Sequence, residues 1–486
     1  MLFNSPEYAL FLPLVLLLYW GLARVSFRAQ NGLLLAASYL FYGWWDWRFL
    51  ALLFASSVVD YFVGLGIARA TESRSKRLVL VASLVANLGT LGFFKYYNFF
   101  VDSLAAAFAS IGVELHVSTL QVILPVGVSF YTFQALTYTV GVYRGTVKPT
   151  RDLVTFLAYV AFFPQLVAGP IERAQHMLPQ FLAPRSIDAA KFASGLRQIA
   201  WGLFCKLVVA DNCAVVVNAI FSREAPGSGS VAAVGAFFFA FQIYADFSGY
   251  THIALGSARL LGFELLQNFA TPYFSQSIGE FWKRWHISLS TWFRDFVYIP
   301  LGGSRMGKVR QARNILLTFT ISGFWHGANG TFLVWGFLHG LYYLPSIWMG
   351  EPLARWATTA PPLARHAVAA LRTLRTFILV LIAWIFFRAE TVPKALAFIR
   401  AIFSVSLLTS PLPALRRLDT LWPAALSAMA IALLLAIEWV QRDKRFALDV
   451  ADRPLVSRWV AYTSLAGLIV SIRYTGSVLD FIYFQF

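Results

Sequence analysis

FWKRWHISLSTWFRD, residues 281–295, and FWHGANGTFLVWGFLHG, residues 324–340, set His286 and His326 into a chain that otherwise reads as membrane from end to end. An ionisable group is costly to place inside a bilayer and marks function where it is found. Imidazole takes and returns a proton near neutral pH, which suits a general base acting on a hydroxyl. The pair points to group transfer within the membrane.

Around these stretches the 486 residues are 58% apolar and only 13% charged, with a mean hydropathy of +0.64. That composition specifies an all-α polytopic membrane protein. Apolar runs lie near 8–22, 31–45, 50–68, 78–100, 119–141, 153–169, 195–220, 231–262, 314–327, 331–349, 374–388, 421–440 and 458–476. Most have the length of a spanning helix, which predicts about 11–13 crossings plus re-entrant and interfacial helices. The first run has no basic region before it and no small-residue cleavage site, so it is expected to be a retained span, not a signal peptide. No internal repeat or soluble insertion is visible, and residues 1–486 read as one membrane domain.

The net charge of +17 does not call for a nucleic-acid partner, because the basic residues sit in short loops between apolar runs, the pattern that fixes membrane orientation. Cys205 and Cys213 are the only cysteines and fall within or beside one apolar run, so neither a disulfide framework nor a metal site is indicated. Placing Arg24/Arg28, Arg69/Arg74/Lys76/Arg77, Arg144/Lys148/Arg151 and Arg442/Lys444/Arg445 on the cytoplasmic side puts the N-terminus outside. The parity then holds only if FFPQLVAGP, 162–170, dips in and returns, a break that Pro164, Gly169 and Pro170 would make. The same count puts 270–313 on the cytoplasmic face and FIYFQF, 481–486, outside. The aromatics of 273–313 alternate with charges as in interfacial or re-entrant helices.

PVGVSFYTFQALTYTVGVYRG (125–145), FFPQLVAGPIERAQHMLPQF (162–181), FSGYTHIALGSARLLGF (247–263), SIGEFWKRWHISLSTWFRDFVYIPLGGSR (277–305) and FWHGANGTFLVWGFLHG (324–340) together resemble the membrane-bound O-acyltransferases, in particular the bacterial branch of alginate O-acetylation membrane subunits. The RWHISLSTW and WHG signatures, in that order, are far more specific than a single histidine. The resemblance implies a fold with a central tunnel, in a bacterial inner membrane. It also implies transfer of an acyl group from a cytoplasmic thioester, acetyl-CoA, toward a polysaccharide on the far side, with a secreted or membrane-anchored esterase-like (SGNH-type) partner completing the transfer. Peptidoglycan, cellulose and teichoic-acid-type acceptors are alternatives to alginate.

By match, His326 is the expected general base and His286 the second family histidine, at the donor end. Gly323 and Gly327 would allow close approach of backbone or substrate, and Asn329 is a candidate to orient a ring nitrogen or donate to the oxyanion. Lys283, Arg284 and Arg294 are candidates for the phosphates of CoA, or equally for lipid headgroups. Asp295 adjoins Arg294, and since neighbours on a helix face different ways, Asp295 is expected to hold a ring or an arginine from another turn.

Of the other histidines, His116, His176 and His366 are expected to be solvated. His252, close to Asp246 within an apolar run, could line the tunnel. His339 follows His326 by thirteen residues, about 140° away on one continuous helix, which suits a structural role. Gln165 stands where some relatives carry histidine, which weakens any role for that loop in proton transfer. The closing FIYFQF resembles short signatures in acyl-export systems in which a tyrosine carries the acyl group, here Tyr483; the alternative is an interfacial aromatic anchor of Phe481, Tyr483 and Phe486. A phenol leaves more readily than a sugar alcohol, so an aryl ester lies energetically between a thioester and a sugar ester. A competing class, a polytopic transporter or polymer-export channel, shares the intramembrane polar residues but lacks a reason for the paired histidine signatures.

Overall fold

The computed structural model describes residues 1–115, 125, 127–167, 169–349, 361–474, 476 and 481–484, and among them the chain is helical throughout, with no strand. Among the described residues, seven helices are long and apolar enough to cross a membrane: Arg48–Arg69, Ser73–Ala109, Ala189–Phe221, Gly229–Leu260, Ala364–Arg388, Leu421–Val440 and Leu455–Ile472. The remaining apolar runs fall in shorter or more polar helices such as Pro6–Leu22, Phe27–Asp46 and Lys308–His326. Protein covers 83% of the apolar window of Gly229–Leu260 but 6% of that of Leu455–Ile472. The first helix is interior, and the second presents Leu455, Val456, Trp459 and Val470 outward, as lipid contact requires.

The chain forms two compact units, residues 1–199 with 251–266, and residues 200–250 with 267–486. In the first, side-chain caps set the helix starts: Ser5 accepts from Tyr8 N–H ahead of Pro6, and Asp152 accepts from both the N–H and the hydroxyl of Thr155. Where no water reaches, polar side chains cross-link helices. Asp60 accepts from Ser83 Oγ at 2.7 Å and Asn87 Nδ2 at 2.9 Å, and Asn31 Nδ2 donates to Thr155 Oγ1 and to the Phe181 carbonyl, each at 2.9 Å. The 153–169 run is interrupted as its prolines and glycine predict. Leu153–Val160 ends at Ala161, Phe163–Leu166 makes a single buried turn, and Gln165 Nε2 donates to Gln134 Oε1 at 2.8 Å.

In the second unit a π turn, Phe204–Ala210, runs into the helix Asp211–Phe221. A side chain on Gly249 would stand 2.8 Å from the Gly202 carbonyl and 3.0 Å from Lys206 N, so a bare Cα is what lets the Gly229–Leu260 helix lie against that turn. Between Ser275 and Tyr298 the chain makes two short helices, Ile278–Arg284 and Ile287–Phe293, followed by a second π turn, Arg294–Tyr298. Its aromatics do not form an interfacial belt. Phe281, Trp282, Trp285, Trp292 and Phe293 are buried, with Phe281 stacked on Trp285 at 5.5 Å and Trp285 packed on Trp384 at 5.0 Å. Ring area of this size gains more from the protein interior than from the headgroup layer.

Candidate active site

Both histidine signatures and the FIYF segment, 481–484, lie in the second unit. His286 occupies the junction between the two short helices with φ 43°, a left-handed conformation that histidine tolerates better than most residues. Asn268 fixes it there. Its carbonyl accepts from Ile287 N–H at 2.9 Å, while its Oδ1 takes Ser288 N–H at 3.3 Å, Ser288 Oγ at 2.9 Å and His286 Nδ1 at 3.1 Å. A backbone N–H can only donate, which identifies the atom facing it as the amide oxygen, so Nδ1 of His286 carries the proton and Nε2 the lone pair. Nε2 is buried without a hydrogen-bond partner among the described residues, and burial pushes the imidazole down to about 3. His286 is a neutral ring of fixed tautomer.

His326 ends the helix Lys308–His326, and Gly327 turns the chain into the antiparallel helix Gly330–Tyr343. The two helices touch through glycine: a Cβ on Gly323 would stand 3.0 Å from Gly336 Cα and collide with the Phe332 carbonyl, and one on Gly327 would collide with the Phe332 ring. The close approach foreseen for these glycines is therefore that of backbone and ring, not of substrate. The His326 ring is packed among Trp325 at 4.9 Å, Trp335 at 5.0 Å and Phe387 at 5.2 Å, and its fourth neighbour is Tyr483 at 5.8 Å. Phe247 closes the group from the other side, its centroid 4.5 Å from Tyr483 and 4.7 Å from His286. One fold thus gathers His326, Tyr483, Phe247 and His286, residues separated by up to 236 positions in sequence. Burial, and after it the charge of Asp246, raises the Tyr483 phenol above its usual range, so the hydroxyl stays protonated unless a base takes its proton.

A cavity of about 330 Å³ is lined by Trp282, Lys283, Ile287, Arg294, Phe319 and Ser322 among others, Ile287 being the residue after His286. Its size is that of a small-ligand pocket. Ser322 is one turn before His326 on the same helix face, and Lys283 and Arg294 put cationic side chains on the wall. Arg284 is not there. It pairs with Glu280 at 2.8 Å and donates to Ala270 O and Thr271 Oγ1, both at 3.3 Å, closing the local turn.

Several placements differ from the reading of the sequence. Asn329 caps the helix Gly330–Tyr343: Oδ1 accepts from Thr331 N–H at 3.0 Å and Nδ2 donates to the Glu390 carbonyl at 2.8 Å, so both ends of the amide are engaged away from the His326 ring. Asp295 does pair with Arg294: Arg294 Nε donates to Asp295 Oδ1 at 2.8 Å, the arginine exposed and the carboxylate half-buried, because the long arginine side chain reaches across to its neighbour. His339 is not on one continuous helix with His326. The chain doubles back at Gly327, so Trp335 touches both rings, and His339 Nδ1 accepts from Trp282 Nε1 at 3.3 Å in a buried structural role. His252 lies in the first unit, hydrogen-bonded to Gln198 at 3.1 Å. His176 is half-exposed and bound to Glu172 at 2.8 Å, which raises its pKa, and His366 is exposed. His116 and Phe486 fall outside the described residues. Asn268 and Phe247 were not anticipated. A lone amide in an extended segment carries no distinguishing signal in sequence, and Phe247, although it opens the 247–263 stretch, is not set apart there from its apolar neighbours.

The membrane-bound O-acyltransferase family profile matches residues 146–389. The chain is 42% identical to "Probable alginate O-acetylase AlgI" of Azotobacter vinelandii over 90% of its own length and 83% of that protein. It is 41% identical to the protein of the same name in Pseudomonas syringae pv. tomato over 83% and 75%. It is also 35% identical to "Peptidoglycan O-acetyltransferase" of Helicobacter pylori over 84% and 80%.

Proposed function

The chain belongs to the membrane-bound O-acyltransferase family, and from that premise we propose that this multi-pass enzyme moves acetyl groups from cytoplasmic acetyl-CoA across a bacterial inner membrane for O-acetylation of an exported polysaccharide. Alginate is the favoured acceptor because the relatives at 41–42% identity carry that name, with peptidoglycan second through the relative at 35%. The observation that carries the mechanism is the 5.8 Å contact between the His326 and Tyr483 rings.

In this reading the thioester arm of the donor enters the cavity beside Trp282, with Lys283 and Arg294 meeting its phosphates. His326 takes the proton of the Tyr483 hydroxyl, which cannot ionise unaided in so buried a setting. The phenolate oxygen attacks the thioester carbonyl, a C–O bond forms as the C–S bond breaks, and the proton passes from His326 to the departing thiolate. The aromatic wall keeps water from hydrolysing either ester. The acetyl-tyrosine then passes its group to an SGNH-type partner, which acetylates the glycan, both termini of the chain facing the periplasm.

Polymer-bound acetate in cells carrying the wild-type chain, His326→Ala or Tyr483→Phe at matched membrane levels tests this. Both variants are expected to lose acetylation. Full acetate with Tyr483→Phe removes the relay and leaves the aromatic-anchor reading; full acetate with His326→Ala removes the base.

A further inference from the structure

Close to Tyr483 lies a buried charge cluster that no motif of the family reading explains. Lys206, on the π turn Phe204–Ala210, has its Nζ 2.8 Å from Asp211 Oδ1 and 2.9 Å from Asp246 Oδ1, and all three side chains are buried. Two carboxylates face one ammonium. The other oxygen of Asp246 meets the FIYF segment: Asp246 Oδ2 accepts the backbone N–H of Ile482 at 2.7 Å, a bond in surroundings where an unpaired donor or acceptor would be costly. The flanking rings follow the same path. Phe481 stacks on Tyr250 at 4.4 Å, Lys206 Nζ lies 5.7 Å over that same Tyr250 ring, and Tyr483 rests on Phe247, the residue after Asp246. Phe481 and Ile482 are fully buried by this arrangement.

We infer that Asp246, balanced by Lys206 and Asp211, is the dock of the FIYF segment and the positioning residue that holds Tyr483 against His326. Its effect on transfer rests on the reading of Tyr483 as acyl carrier; the docking itself does not. Asp211 alone could pair with Lys206; Asp246 in addition takes the backbone donor of the segment.

An Ile482→Cys background keeps that N–H and adds a reporter, since both native cysteines are buried. In purified full-length protein, Asp246→Leu leaves Lys206 paired with Asp211 and is expected to raise maleimide labelling of the introduced thiol about ten-fold. Acetyl transfer should fall by a similar factor, in kcat with little change in the KM for acetyl-CoA. Asp246→Asn keeps an acceptor oxygen without the charge and should lie between wild type and Asp246→Leu in both readouts; it carries the test alone if Asp246→Leu does not fold. Unchanged labelling in a folded Asp246 variant overturns the dock whatever transfer does. Raised labelling with undiminished transfer overturns the positioning role. Full transfer by Tyr483→Phe, with labelling still raised by Asp246→Leu, fells the relay and leaves the dock standing.

Discussion

His286 and His326 are both buried imidazoles from family signatures, yet their surroundings differ. His286 is held by an amide that accepts from its ring, from a backbone N–H and from a hydroxyl, so its tautomer and orientation are fixed and its charge is suppressed. His326 stands at a helix end with aromatic walls on three sides and a tyrosine on the fourth. The contrast teaches that burial alone does not identify a base; what matters is whether the ring faces a group that has a proton to give.

The largest expected effect breaks the symmetry of the pair directly. His326→Gln should lower acetyl transfer by about 10³-fold with acetyl-CoA binding retained, whereas His286→Gln, which keeps an uncharged polar group at its site, should cost about ten-fold. Equal losses in steady-state kinetics on purified protein would erase the distinction. Next is Asn268→Ala, which removes the acceptor shared by Ser288 N–H, Ser288 Oγ and His286 Nδ1. It should destabilise the fold by about 1–3 kcal/mol, read as a lowered melting temperature. A third test uses pH. Because the folded His286 is pushed from 6.5 down to about 3, the unfolded chain binds its proton first as pH falls. The contribution is complete above 6.5 and is lost through the window below it, at about 1.4 kcal/mol per pH unit. His286→Gln should therefore melt with a shallower acid dependence than wild type, and parallel curves would refute the neutral ring. The smallest effect lies on the donor side: Lys283→Ala should raise the KM for acetyl-CoA about three-fold, and Arg284→Ala, already committed to Glu280, should leave it unchanged.

The histidine signatures, the broken 162–170 segment and the closing FIYF were legible because each is a local pattern of residue types, and local spacing survives folding. What failed to read was the relation between elements. The two rings His326 and His339 share Trp335 only because the chain reverses at Gly327, and Asn329 was spent on the helix that this reversal begins. Lys206 pairs with Asp211 because a π turn separates them. Residues five apart lie about 140° apart on an ordinary α-helix but come into line where the hydrogen bonding runs i→i+5. Lys206 was itself a visible anomaly, a cation in the middle of an apolar run, and intramembrane charge is a signal that sequence reading can act on.

The π turn at Phe204–Ala210 has a bearing on how such chains diverge. A π turn is a stretch of α-helix that has taken in one extra residue and absorbed it locally, leaving the helix on either side in phase. Within a buried helix, where an insertion or deletion would ordinarily rotate every later side chain off its neighbours, this is the place where the chain length can change by one and the flanks still fit. A one-residue gap at 204–210 is thus expected when related chains are laid beside this one, with Asp211–Phe221 and the residues before the turn still matched.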